Sequence, residues 1–233
     1  MGAPETSPGK SVGERLREAQ AKAALLFAAV GEQRIVRPGV TEEEVSSAIF
    51  ELARERFGVE KHWHRRVVRS GPHTRLPFKE LPPDRRIEED DVVSLDFAPV
   101  FGTYEADFGR TFVFGEDPEK QRLVADLATL FHSCRDAYLA RPEMTGSELY
   151  DHVVASSRAR GWGVGGAHAG HLVGAFPLPR ADRDALRNRI WPANDGPMNA
   201  LGKDGQVRHW VLEIHLLDPT GAFGGFYEQL LAV

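Results

Sequence analysis

A single cysteine, Cys134, stands in a chain of 233 residues, so no disulfide can close within it and a reducing compartment is expected. Long apolar runs are missing too. None approaches the roughly 20 residues of a membrane-spanning helix, and MGAPETSPGK at the start holds no apolar signal core. Gly2 and Thr6 match a loose myristoylation pattern, one short enough to arise by chance. Apart from HRRVVR, basic residues are scattered, and the net charge is −5. Neither nucleic acid nor membrane is an expected partner, and a cytoplasmic protein is the expectation. The glycine-rich GWGVGG (161–166) lacks the lysine of a phosphate loop and reads as a turn into the next strand.

What is present is an ordinary globular composition, 42% hydrophobic and 27% charged, sufficient for one large domain. Residues 1–10 read as a disordered lead-in and 11–233 as a single domain. Leu16, Ala19, Ala23, Leu26, Phe27 and Val30 have helical spacing over 11–35, broken at Pro38 and Gly39. TEEE at 41–44 has the form of a capping box that opens a helix to about Phe57. Strand-like RRVVRSG follows, then a loop carrying Pro72, Pro77, Pro82 and Pro83. After Gly115 the order recurs. A long amphipathic helix fills roughly 118–140, Thr145 with Glu148 repeats Thr41 with Glu44, and a helix runs to about Arg160. Two pseudo-repeats, about 11–115 and 116–233, are expected to face each other with a site between them.

The stretch VVSLDFAPVFGTYEADFGRTFVFG (92–115) carries Asp96 and Asp107 inside strands, where aspartate is depleted. A two-residue turn at Gly102 and Thr103 would pair Phe101 with Tyr104. Asp96 then lies opposite Gly109 and Asp107 opposite Ala98, with both carboxylates on one face. WVLEIHLLDPTGAFGGFYEQLL repeats the device: with PTGA (219–222) as the loop, Glu213 faces Glu228. Like charges so placed repel, and burying four of them would raise their pKa values or unfold the site. A divalent cation removes the conflict. Imidazole beside carboxylate suits first-row ions: Mn, Fe or Co, with Zn possible. The plainer alternative is four strand-edge residues facing water.

In their contexts these residues resemble the methionine aminopeptidase, Xaa-Pro aminopeptidase and creatinase superfamily. The matching segments are SLDFAP with Asp96, ADFGRTF with Asp107, AGHLVG with His171, LEIH with Glu213 and FYEQLL with Glu228. The resemblance implies the pita-bread fold, an α+β architecture of two pseudo-symmetric halves with antiparallel sheet around a dinuclear metal site. From about residue 11 it covers the catalytic domain alone, without the extra N-terminal domain of prolidases and creatinases. It implies Asp96 on one metal, His171 with Glu213 on the other, and Asp107 and Glu228 bridging. Two divalent ions would then activate a water against a short peptide or other small substrate, with Glu213 also moving its proton. A monomer or homodimer is expected.

The resemblance is incomplete. Peptidases of this superfamily usually carry two more histidines at the substrate carbonyl. Leu178 occupies the position seven residues after His171, and LPFK (76–79) the region 18–20 residues before Asp96. Ile214 replaces the proline that commonly follows the first glutamate. Losing such a stabiliser typically costs ~10²–10³ in rate. His62, His64, His73, His168 and His215 are stand-ins near the site, although for each alone a structural histidine is the simpler reading. We take His64 and His215 as catalytic partners of Glu213, and His73, His168 and the Leu178 position as substrate-facing. His215, two residues beyond Glu213 on a strand, shares its face, and His209 matches the same alternation. His132 and His152 receive no role, and Trp63, Trp162, Trp191 and Trp210 read as packing residues.

Three functions remain open: a hydrolase, a non-hydrolytic metalloenzyme using iron and O₂ on an amino-acid-like substrate, and a binding module without catalysis. The intact ligand set weighs against the last. If the chemistry is hydrolysis, Leu178→His restores a donor to the substrate oxygen. Dipeptide assays should then show faster turnover than wild type, and equal rates would show that another group fills that role.

Overall fold

The computed structural model describes residues 10–177, 187–202 and 204–232; Gly2, Thr6 and Leu178 lie outside them. Helix α1 (Val12–Glu32) begins where Ser11 and Glu14 exchange hydrogen bonds in a capping box, and it buries the stripe Leu16, Ala19, Ala23, Leu26, Phe27 and Val30. Helix α2 (Glu42–Phe57) opens with the reciprocal Thr41–Glu44 box and ends at Gly58 in the left-handed conformation. Strand β1 (Val67–Ser70) leads through a 3₁₀ turn (Gly71–Arg75) and a loop to β2 (Val92–Phe97). Short strands β3 (Val100–Phe101) and β4 (Tyr104–Glu105) form the hairpin tip, and β5 (Phe108–Val113) returns. Helix α3 (Pro118–Ala140) is capped by Asp117, and α4 (Gly146–Ala159) by a third box, Thr145 with Glu148. Strands β6 (Gly163–Val164), β7 (Gly170–Val173), β8 (His209–Leu217) and β9 (Gly224–Ala232) complete the described elements. None of the described helices is long and apolar enough to cross a membrane.

Seven strands form one antiparallel sheet in the order β1-β2-β5-β9-β8-β6, with β7 also on β8. Phe101 pairs with Tyr104, Asp96 with Gly109 and Glu213 with Glu228, the registers that the two turns dictate. Gly163 and Val164 differ from expectation. They are a short strand on Leu217 and Leu216 rather than a turn, because Gly163 admits the Leu217 side chain close to its backbone. The first hairpin is also interrupted at Asp107. The carbonyl of its facing residue, Ala98, accepts from Trp63 N–H at 3.0 Å, and Val100 N–H donates to Lys61 at 2.9 Å. Segment 61–63 thus runs beside the hairpin where its two strands part.

The two hairpins meet at the β5–β9 seam through one registered pair, Gly109 with Glu228. Thr111 Oγ1 reinforces the seam by donating to Phe226 O and accepting from Phe226 N–H, each at 2.7 Å. Arg110 lies between the Phe108 and Tyr227 rings, 3.8 Å from each centroid, and donates to Glu228 O. Two hydrophobic cores flank the seam. One packs α1 and α2 against β2 and β5; the other packs α3 and α4 against β8, with Cys134 inside it. Burial pushes the Cys134 thiol up to about 12, so it is inert core.

The second core contains one polar knot. Trp162 is 1% exposed and donates its indole N–H to Asp126 at 2.8 Å, and Arg160 donates to the same carboxylate at 2.6 Å. Asp126→Ala leaves that indole unpaired, which should cost about 1–3 kcal/mol. Thermal unfolding should show a midpoint lowered by roughly 2–4 °C for each of those kcal/mol; an unchanged midpoint would show that Trp162 finds another acceptor.

Candidate metal centre

Extended strands turn alternate residues to one face, so Asp96 on β2, Glu213 on β8 and Glu228 on β9 project from the sheet around Asp107. Asp107 is 3% exposed and is the hub. Its Oδ1 lies 3.1 Å from His64 Nε2, and its Oδ2 lies 3.1 Å from His171 Nε2 and 3.2 Å from the donating Trp63 Nε1. His64 Nε2 also stands 3.3 Å from Asp96 Oδ1, but without hydrogen-bond alignment, so that buried oxygen has no hydrogen bond. Donor atoms of His64, Asp96 and Asp107 lie within 4.8 Å of one another, and so do those of Asp107, His171 and Glu228. Glu213 Oε1 is 3.6 Å from both His171 Nε2 and His168 Nδ1.

Gly170 places His171. Its φ of 137° and its contact with β8, where a Cβ would come within 2.1 Å of Val211 O, exclude any side chain. The other histidines divide. His168 reaches Glu213, and its Nδ1 is buried with no hydrogen bond. His215 does share Glu213's face, yet its Nε2 is held by the Thr74 carbonyl at 2.9 Å, which ties β8 to the 3₁₀ turn. His73 sits 3.1 Å from the Glu42 carboxylate, which also accepts from Ser70; its ring anchors α2. His62 packs against Phe50 and Phe97. His209 keeps the alternation of β8 that carries Glu213, since the register shift at Trp210/Val211 places its extra residue on β9, but it lies at the far start of the strand, paired with Val173.

Phe78, in the LPFK segment, meets the His64 ring edge-on at 5.3 Å, under the guanidinium of Arg65. Buried Arg69 fixes that segment by donating to the carbonyls of Leu76, Pro77 and Glu80. Two site residues escaped the sequence reading. Trp63 binds Asp107 instead of merely packing. Glu105 is 3% exposed and accepts from Gly174 N–H; it ends β4, two residues before Asp107, and a third acidic residue in that hairpin was the available signal.

Charge follows the geometry. Burial alone would lower the pKa of His64, but the carboxylates of Asp96 and Asp107 outweigh it and lift the ring to about 11. His171 is likewise raised to about 9, its hydrogen bond to Asp107 overcoming burial. Burial is overcome at Asp107 too, where the two imidazoles hold the carboxyl below the usual range. Burial pushes Glu213 and Glu105 up to about 7. Glu228 is also raised, by burial and then by Asp107 and Glu213. Burial takes His168 down to about 4.

These directions set the pH dependence of the chelator-treated protein. Glu213 and Glu228 hold protons in the folded state above the unfolded carboxylate range, so their contribution declines as pH rises past about 4.5. The stability that His64 and His171 supply is complete below the unfolded imidazole value and declines as pH climbs through their raised ones. Asp107 acts oppositely, its contribution being lost only in strong acid. His62 and His168, which burial holds down to about 4, add stability as pH rises to the unfolded imidazole value and change nothing beyond it. Melting midpoints in chelator should therefore fall from about pH 7 to about pH 9, and a midpoint that rises over that range would contradict this charge distribution.

Residues 14–215 match the profile of metallopeptidase family M24. A Xaa-Pro dipeptidase of Pyrococcus furiosus is 32% identical over 140 residues, 60% of this chain and 39% of that protein. Its counterpart in Pyrococcus horikoshii is 31% identical over 114 residues, 49% of this chain and 32% of that one. The matched part of the chain thus spans less than half the length of these curated relatives. Prolidase from Pyrococcus furiosus superposes with a TM-score of 0.72 at 24% identity, covering 95% of this chain and 60% of that one. Methionine aminopeptidase from Rickettsia prowazekii superposes with a TM-score of 0.69 at 12% identity, covering 94% of this chain and 96% of that one. These likenesses show the pita-bread fold, consistent with the antiparallel sheet and flanking helices. With 14–215 matched, the chain belongs to metallopeptidase family M24.

Proposed function

We propose that this protein is a metal-dependent peptidase of the Xaa-Pro dipeptidase type, acting on a short peptide. The observation that carries this reading is the convergence of Asp96, Asp107, His171, Glu213 and Glu228 on one buried carboxylate cluster. The donor set fits divalent first-row ions: carboxylates outnumber imidazoles, and Asp96 Oδ1 is buried with no hydrogen bond of its own. Asp96, Asp107, His171, Glu213 and Glu228 would hold two such ions, Mn, Fe or Co before Zn. Ions bound there supply a water of lowered pKa and a polarised substrate carbonyl.

The chain's own groups do the rest. Glu213 Oε1, 3.6 Å from both His171 Nε2 and His168 Nδ1, would take the proton of such a water and return it to the leaving amine. His168 stays uncharged near neutral pH, and its unpaired Nδ1 is free to hydrogen-bond a substrate polar group beside Glu213. Trp63 holds Asp107 Oδ2 in place through its indole N–H. A small soluble substrate suits a cytoplasmic enzyme with one buried thiol.

Glu213→Gln separates the two parts of this reading. It keeps the side chain's size but cannot take a proton, so dipeptide turnover should fall by at least ~10² even with metal in excess. The same change replaces a carboxyl whose ionisation burial opposes with a neutral amide, so in chelator the variant should melt no lower than wild type. A wild-type protein that binds metal yet cleaves no dipeptide, with or without proline, would refute peptidase chemistry; O₂ uptake measured in parallel would identify oxidation instead.

A further inference from the structure

Two histidines enter the carboxylate cluster, and they are built alike. His171 Nδ1 stands 2.8 Å from the carbonyl oxygen of the next residue, Leu172, and His64 Nδ1 stands 2.6 Å from that of Arg65. A ring nitrogen so close to a carbonyl oxygen carries a proton and donates it, which leaves Nε2 as the working atom of each ring. Both Nε2 atoms point at the same carboxylate from its two sides, 3.1 Å from Asp107 Oδ1 and 3.1 Å from Asp107 Oδ2. Metal-binding histidines show this arrangement: one nitrogen is fixed on a backbone carbonyl and the other is presented to the ion.

His64 is held there firmly. The segment before it is clipped to the first hairpin by Trp63 N–H on Ala98 O and Val100 N–H on Lys61 O. Trp63 packs edge-on to its ring at 4.9 Å, and Phe78 does so at 5.3 Å. The side chain is 13% exposed. Facing it is Asp96 Oδ1, a buried oxygen with no hydrogen bond. The one hydrogen that Nε2 can carry is directed at Asp107, which leaves this Asp96 oxygen with a lone pair for another partner.

We propose that His64 is a metal ligand. Through Nε2 it completes, with Asp96 and Asp107, a position for one divalent first-row ion, while Asp107, His171, Glu213 and Glu228 form the other. The resemblance in sequence places a histidine on one ion only; this geometry gives each ion an imidazole. Nitrogen on both positions biases the site toward Co, Fe or Zn and away from Mg or Ca. The proposal rests on the metalloenzyme reading above, and the test separates the two.

The full chain is stripped with chelator, then loaded with one and two equivalents of Co(II), and the imidazole scattering is counted by X-ray absorption. Wild type carrying two ions should show as many imidazoles as ions, and His64→Ala should show half as many. His64→Ala and the size-conserving His64→Gln should each weaken one binding step at least about tenfold while leaving the other unchanged, as removal of a group that holds a metal does. Circular dichroism confirms that each variant is folded; if neither folds, the wild-type count decides alone. Half an imidazole per ion in wild type, or an unchanged count in a folded variant, overturns the assignment of His64 and leaves the peptidase reading standing. Failure of wild type to bind cobalt at all overturns both.

Discussion

Burying an ionised carboxylate costs several kcal/mol unless charged partners surround it, and Asp107 is such a carboxylate with its partners drawn from across the chain. His64 arrives from the segment after α2, His171 from β7, and Trp63 supplies a neutral donor. Each must be delivered to within about 3 Å, so the parts of the fold that deliver them are fixed by one requirement. The hairpin opens at Asp107 and Ala98, leaving a carbonyl that Trp63 can bind. Gly170 lies so close to β8 that His171 follows at a fixed height above the sheet. Even the proline-rich loop serves this end, since Arg69 gathers its carbonyls and sets Phe78 against the His64 ring.

The cluster also sits where the structure is least continuous. Between β5 and β9 the strand ladder shrinks to one registered pair, helped by a threonine hydroxyl and an arginine clasped by two rings. The two hydrophobic cores lie to either side and share little. Carboxylates from both hairpins meet over this narrow join. An ion bound to both would therefore add a cross-link where backbone hydrogen bonding is sparse.

Much of this was readable from local chemistry. The α1 stripe follows from a period of 3.6, and the capping boxes from Thr and Glu three residues apart. The registers that put Asp96 beside Gly109 and Glu213 opposite Glu228 follow from loop length. Matters decided by distant contacts were not readable. His215 was placed on the correct face, but its partner, the Thr74 carbonyl, lies 141 residues away in sequence. Trp63 looked like a core residue because nothing local shows segment 61–63 pairing with the hairpin. His73 follows the same rule: its carboxylate partner, Glu42, belongs to a helix that the sequence places well before it.

At the seam, Gly109 has no side chain for a reason of space. A Cβ there would lie 2.5 Å from the Phe226 ring and 3.2 Å from Glu228 Cβ. Residues 109 and 226 thus share one volume and cannot vary independently. A side chain at 109 requires the ring at 226 to move aside or be lost, whereas loss of the ring first leaves only a gap at the seam. Change at 226 thus opens the way to change at 109, and the glycine is held in place by a neighbour to which no chemistry is assigned.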